Sequence, residues 1–187
     1  MTLFEYITVV VSMVLALTVV RGLDAIGRVY TAKYRYNIHV AWFSLKLFQP
    51  LLMWWSMWGL KGVTGWNFLA FVIVVAGPTL LYLQMATLVP RDLTMDSDWR
   101  GHFYTVRRRF FLTNIGLALT APLQILATGA LASGWPLFLA AGGEIVLSLI
   151  AMRSNNHRVQ QLVVILVGSG FALWSLLLFR PLGFDGG

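Results

Sequence analysis

Five polar side chains stand inside stretches that are otherwise almost wholly apolar: Lys46, Gln49, Gln84, Asn114 and Glu144. An ammonium and a carboxylate in such surroundings can bind counter-ions or exchange a proton, and three amides can supply neutral donors and acceptors. Each is costly in hydrocarbon unless satisfied, which makes it a functional candidate by default. Lys46 lies in "AWFSLKLFQPLLMWWSMWGL" (41–60), with Gln49 one turn on and Pro50 directly after. Proline has no N–H, so the Lys46 carbonyl loses its helical partner. A freed carbonyl beside an ammonium suits backbone that lines a cavity rather than faces lipid. Glu144 lies in "AAGGEIVLS", where Ala140, Ala141, Gly142 and Gly143 let a neighbouring helix come close. A lysine stem can lift its charge to the headgroups, but a glutamate has no such reach. Glu144 is therefore the stronger sign of function, against a plain reading as a protonated packing residue.

The elements that must position these residues follow from composition. Of 187 residues, 58% are hydrophobic and 11% charged, with mean hydropathy +0.75. A soluble domain carries about 25% charged residues, so lipid must cover much of this surface. The expected fold is an all-α integral membrane protein, one domain over 1–187. Stretches of about 20 apolar residues mark membrane spans, and six are expected at 3–22, 39–60, 67–89, 110–132, 136–152 and 159–179. Ser133 before Trp135 and Pro136 offers an N-cap for the fifth. At 1.5 Å per residue from the basic ends, Lys46 comes out roughly 10 Å deep, Glu144 roughly 12 Å, Gln84 roughly 8 Å and Asn114 roughly 6 Å. One layer of a six-helix bundle would then hold a polar cavity open toward the basic loops.

Arg21, Arg28, Lys33 and Arg35 follow span 1, Arg91, Arg100, Arg107, Arg108 and Arg109 follow span 3, and Arg153 and Arg158 follow span 5. Only Lys61 and Arg180 fall on the other side, so the positive-inside rule places both termini outside the cytoplasm. Trp54, Trp55, Trp58, Trp66, Trp135 and Trp174 gather near the outer ends as an interfacial belt. Leu23, Ile26 and Tyr30 extend span 1 as a helix into the cytoplasm. Trp99, Phe103, Val106 and Phe110, capped by Ser97 or Asp96, form a basic amphipathic helix. It is expected to lie along anionic headgroups, with Arg100, Arg107, Arg108 and Arg109 as the lipid or anion contacts. A net charge of +7 without a nucleic-acid-binding module does not imply nucleic acid.

Cysteine is absent, which removes disulfides, thiolate zinc sites and iron–sulfur clusters. His39, His102 and His157 fall at the cytoplasmic face, where imidazoles at one level could gather a divalent metal beside Asp98. They lack paired-ligand spacing, and no cofactor is expected. The start "MTLFEYITVV" lacks a basic n-region and cleavage site, so the first span is expected to be retained.

The segment "DWRGHFY" (98–104), followed by "RRRFF" (107–111), resembles a pattern in small six-span bacterial inner-membrane proteins of uncharacterised function. The opening "LFEYITVVVSMVLAL" is similar to theirs as well, although Trp99 stands where leucine follows the aspartate in that pattern. The resemblance implies a bacterial inner membrane and no particular activity.

Three function classes remain open. A small transporter or channel-like protein for an ion or small solute would use Lys46 and Glu144 as coupling charges. An accessory or scaffold subunit of a larger membrane complex would use the same residues only to cement helices. A membrane enzyme acting on lipid headgroups would use His102 and Asp98 for acid–base work. Partners are expected among anionic lipids, with a homo-oligomer or a membrane-complex subunit as the other association.

Overall fold

In the computed structural model, residues 2–63, 65–92, 94–128 and 131–178 are described, the side chains of 131–135, 177 and 178 excepted. They form six α-helices: α1 (Leu3–Tyr30), α2 (Asn37–Ser56), α3 (Phe68–Leu88), α4 (Trp99–Thr128), α5 (Leu131–Arg153) and α6 (His157–Leu178). A 3-10 turn over Met57–Leu60 ends α2. Among the described residues there is no strand. Thr2 and Glu5 start α1 with reciprocal bonds, 3.2 Å from the Glu5 N–H to Thr2 Oγ1 and 2.8 Å from the Thr2 N–H to Glu5 Oε2. This capping box satisfies two donors that a helix start otherwise leaves open.

Five helices are long and apolar enough to cross a membrane: α1, α3, α4, α5 from Pro136, and α6 up to Leu176. The expected second span falls short of that standard because α2 carries His39, Lys46, Gln49 and three tryptophan side chains. Its neighbours shelter these groups instead: α2 packs on α1, α3 and α6, and His39, Trp42, Phe43 and Lys46 are buried. α1 shows the opposite case. Ile7, Val11, Leu15, Thr18, Gly22, Ala25 and Val29 recur on its buried face. Leu3, Tyr6, Val9, Met13, Leu17, Val20, Leu23, Ile26 and Tyr30 recur on its exposed face. A helix apolar on both faces suits protein on one side and lipid on the other.

The packing closes a ring from α2 through α6, with α6 returning to α2 and α1 lying against α2 and α3. Short connections make successive helices antiparallel, so α2, α4 and α6 all begin at the end rich in arginine. Gly22 lets Leu47 and Met85 meet against α1, and Gly77 does the same for Met53 and Thr120. These contacts set Lys46 and Gln84, one residue from Leu47 and Met85, in the same layer.

Three expectations change. The stripe Trp99, Phe103, Val106, Phe110 is not a separate helix lying along a surface. It is the first part of α4; Val106 is half-buried, and the three aromatic residues are buried in the main core with Val29, Tyr36, Trp42 and Val163. At 30 residues, α4 is about 45 Å long against an apolar thickness of about 30 Å. Asp98, rather than Ser97 or Asp96, caps α4, accepting from the N–H groups of Arg100 at 3.1 Å and Gly101 at 3.0 Å. Finally, α5 begins at Leu131, so Ser133 does not occupy its N-cap and Pro136 sits inside the helix. The side chains of Ser133 and Trp135, and all of Arg180, lie outside the described residues. Pro50, Pro78 and Pro122 also sit within continuous helices and are buried. Each removes one bond without breaking its helix.

Candidate functional site

Lys46 is 2% exposed, and its ammonium is directed into the ring rather than toward the arginine-rich end. It donates to Gln49 Oε1 at 2.8 Å, one turn farther from that end, and to Asn114 Oδ1 at 2.7 Å on α4. The stem therefore does not lift the charge toward the headgroups. Asn114, fully buried, turns its amide nitrogen to α5, donating to Glu144 Oε1 at 3.0 Å and to Ser148 Oγ at 3.0 Å. One amide thus receives the ammonium on one face and meets the carboxylate on the other. The two charges make no direct ion pair; Asn114 stands between them.

The local sequence explains this placement. Gln49 follows Lys46 by three residues and Ser148 follows Glu144 by four, so each pair shares one helix face. α2 contacts α4 only lightly while α5 packs closely on α4, so only a long side chain can reach Asn114 from α2. Trp42 and Phe110 stand one turn before Lys46 and Asn114. Their rings meet edge to face at 5.2 Å, and Trp42 meets Phe111 at 5.5 Å. The ammonium lies 5.9 Å from the Trp42 ring and 6.0 Å from the Phe110 ring, at the outer limit for cation–π attraction.

This aromatic layer alters the expected cavity. Trp42, Phe110 and Phe111 are all fully buried and close the network on the arginine-rich side. The polar layer is a packed cluster, not a basin open to the basic loops. Gln84 shares the layer and is fully buried, but its amide oxygen and nitrogen have no hydrogen-bond partner. The structure thus brings together Lys46, Gln49, Asn114 and Glu144, adds Ser148, and leaves Gln84 apart. Glu144 is half-buried, and the adjoining Gly142 and Gly143 face open space. Of the small residues expected to admit a neighbouring helix, Ala141 is buried, whereas nothing among the described residues closes on Gly142 and Gly143.

The histidines do not converge. His39 and His102 meet edge to face at 6.0 Å, with both His39 ring nitrogens buried and unpartnered. His102 Nε2 lies 3.1 Å from the Thr87 carbonyl, and His157 Nδ1 lies 3.1 Å from the Tyr36 hydroxyl. Among the described residues no three metal-ligating side chains gather at one point. His102 and Asp98 are each committed elsewhere, to Thr87 and to the α4 cap, so the acid–base pair expected of a headgroup enzyme is not assembled. Of the arginine run, Arg107 donates to the Ser154 carbonyl and to Asn155 Oδ1, tying α4 to the α5–α6 connection. Arg108 and Arg109 are exposed.

Against known proteins, the chain matches no family model, no curated protein and no solved structure. Its function must be argued from its own geometry. Ser148 was legible in retrospect from its spacing to Glu144. The aromatic layer was legible from the matching spacing of Trp42 to Lys46 and of Phe110 to Asn114.

Proposed function

We propose that this chain is a small six-span membrane transporter in which Lys46 and Glu144 couple proton movement to that of an ion or small solute. The observation that carries the reading is the amide bridge. A pair kept only to offset two buried charges gains most from direct contact. Here Asn114 separates them, and the carboxylate is the more exposed partner, placed to exchange a proton beside the open Gly142–Gly143 face. Gln49 and Ser148 hold the two ends of the relay, and Gln84 is a buried amide in reserve at the same level. α2 is the sixth span, a member of the ring whose buried polar groups its neighbours shelter. The resemblance to small six-span bacterial proteins supports placement in a bacterial inner membrane.

Protein reconstituted into liposomes with a trapped pH-sensitive dye should carry protons under a potassium diffusion potential faster than empty liposomes do. Glu144→Gln keeps the volume and the acceptor for Asn114 but cannot ionise. It should lower that flux about ten-fold, equivalent to about 1.4 kcal/mol in the barrier. Wild-type flux equal to that of empty liposomes under either polarity would remove the coupling role.

The distribution of basic loops and tryptophans supports a topology with the arginine-rich end in the cytoplasm and both termini outside. Because native cysteine is absent, single cysteines report this directly. Asp24→Cys and Asp96→Cys, both exposed, should be shielded from an impermeant thiol reagent in intact cells, whereas Gly62→Cys should react. The reverse labelling pattern would invert the topology.

A second reading, as a subunit of a larger membrane complex, is favoured by one observation. Only 17% of the spanning windows of α5 and of α6 is buried within the chain, against 44% for α4. Obligate co-purification with another membrane protein would select it.

A further inference from the structure

At the arginine-rich end, an open cleft of about 510 Å3 is lined by Tyr34, Arg35, Tyr36, Asp98, Arg100 and His157. It lies apart from the Lys46 network, and the transport reading uses none of these residues. Tyr34, Arg35 and Tyr36 lead into α2, Asp98 caps α4, and Arg100 and His157 stand in the first turns of α4 and α6.

The floor of the cleft is fixed. Tyr36 is 7% exposed, and its ring packs on Phe103 at 5.6 Å and on Tyr104 at 6.0 Å. Its hydroxyl meets the Tyr104 hydroxyl at 3.2 Å and His157 Nδ1 at 3.1 Å. Burial, reinforced by the bond to Tyr104, pushes the Tyr36 phenol well above its usual pKa and outweighs the opposite pull of Arg100. Tyr36 is therefore a neutral hydroxyl. Its contact with Nδ1 orients the His157 ring and leaves Nε2 for another partner.

The walls hold unspent donors. The Arg100 guanidinium lies over the Tyr36 ring, 6.0 Å from its centre, at the outer limit for cation–π attraction, a contact that consumes none of its N–H donors. Arg21 donates to the Val89 carbonyl and Arg107 to Ser154 and Asn155, but the Arg35 and Arg100 guanidiniums make no hydrogen bond or ion pair among the described residues. Asp98 is the one carboxylate in the lining, and it is engaged by the N–H groups of Arg100 and Gly101. α2, a 20-residue helix, begins after Tyr36 without a side-chain cap, which leaves its first N–H groups and its positive dipole end without a counter-charge.

We propose that this cleft binds a phosphate group, gripped by Arg35 and Arg100, with His157 and the uncapped start of α2 completing the donor set. Two planar guanidiniums, an imidazole and backbone N–H groups offer more directed donors than the two oxygens of a carboxylate can accept. The fork of each arginine matches two phosphate oxygens at once. The phosphate can belong to a lipid headgroup reaching up from the adjoining leaflet or to a soluble phosphate ester; the recognition chemistry is the same.

The full chain in neutral detergent can be titrated with glycerol phosphate by 31P NMR, and its retention of phosphatidate over phosphatidylcholine can be read by native mass spectrometry. The wild type should bind at least one of these phosphates. Arg35→Gln with Arg100→Gln, both at exposed positions, should weaken that binding about ten-fold or more. Arg108→Gln with Arg109→Gln removes equal charge outside the cleft and should change it by no more than about two-fold, since exposed charges at a distance are screened. Binding of glycerol phosphate identifies a soluble ester, and retention of phosphatidate alone identifies a lipid headgroup. Failure of both phosphates to bind, or equal losses in the two double variants, overturns the site. Proton flux plays no part in this readout, so its outcome and that of the transport test are separate.

Discussion

Asn114→Leu should destabilise the protein by about 3 kcal/mol, the largest loss expected of any single substitution in the bundle. The side chain is fully buried and makes three hydrogen bonds, to Lys46, Glu144 and Ser148, at 2.7, 3.0 and 3.0 Å. Leucine keeps the branching of the side chain but returns none of them. The ammonium keeps Gln49 alone, and the carboxylate loses its only donor among the described residues. Removing one partner from a buried charged pair costs about 3–5 kcal/mol in water-soluble proteins. The lower end applies here, because polar groups in a membrane-inserted unfolded chain also find partners. Ser148→Ala sets the scale: it removes one neutral bond from the same amide, worth about 1 kcal/mol. Unfolding both variants in the same detergent titration decides the matter. A loss for Asn114→Leu no greater than that for Ser148→Ala would mean that the charges do not depend on the amide.

The part of this site that sequence could reveal was depth. Counting residues inward from the basic loops puts Lys46, Gln84, Asn114 and Glu144 in one layer, because rise per residue in a helix is nearly constant. Azimuth is another matter. It depends on which helices pack side by side, and nothing local to Gln84 says that its amide finds no partner while Asn114 finds three. The 4, 3, 4 spacing from Trp99 to Phe110 likewise showed a helix and an apolar face, but not what covers that face. A headgroup layer and the rings of Tyr36, His39 and Trp42 impose the same period. The structure chooses the rings, with His39 against Trp99 at 5.0 Å and Tyr36 against Phe103 at 5.6 Å. α2 falls below the hydropathy of the other five helices for a related reason. Hydropathy scores each side chain as if it faced lipid, whereas His39, Trp42 and Lys46 face protein. The cleft at the arginine-rich end was the least legible feature. Its six lining residues lie in or just before the starts of three helices distant in sequence, and they form no motif.

A triple set of cycles on Lys46→Met, Asn114→Leu and Glu144→Gln tests whether coupling passes through the amide. Lys46→Met strands the oxygens of Gln49 and Asn114 and should cost about 1–3 kcal/mol. Combined with Asn114→Leu, the loss should fall short of additivity by at least about 1 kcal/mol, since the two residues share their strongest bond. Lys46→Met with Glu144→Gln should also fall short, but by less, because these side chains do not touch. The decisive comparison repeats that second pair in the Asn114→Leu background. If the amide carries the interaction, the remaining coupling should shrink to within about 0.5 kcal/mol, the range expected of independent sites. Coupling that persists there would mean the charges sense each other through space. The same variants then separate the two uses of the network. A bridge kept only for packing predicts that the Lys46→Met, Glu144→Gln double variant folds and still carries protons. A coupling relay predicts a well-folded double variant with no flux above empty liposomes, because what remains is the shape of the site without a group that can change charge.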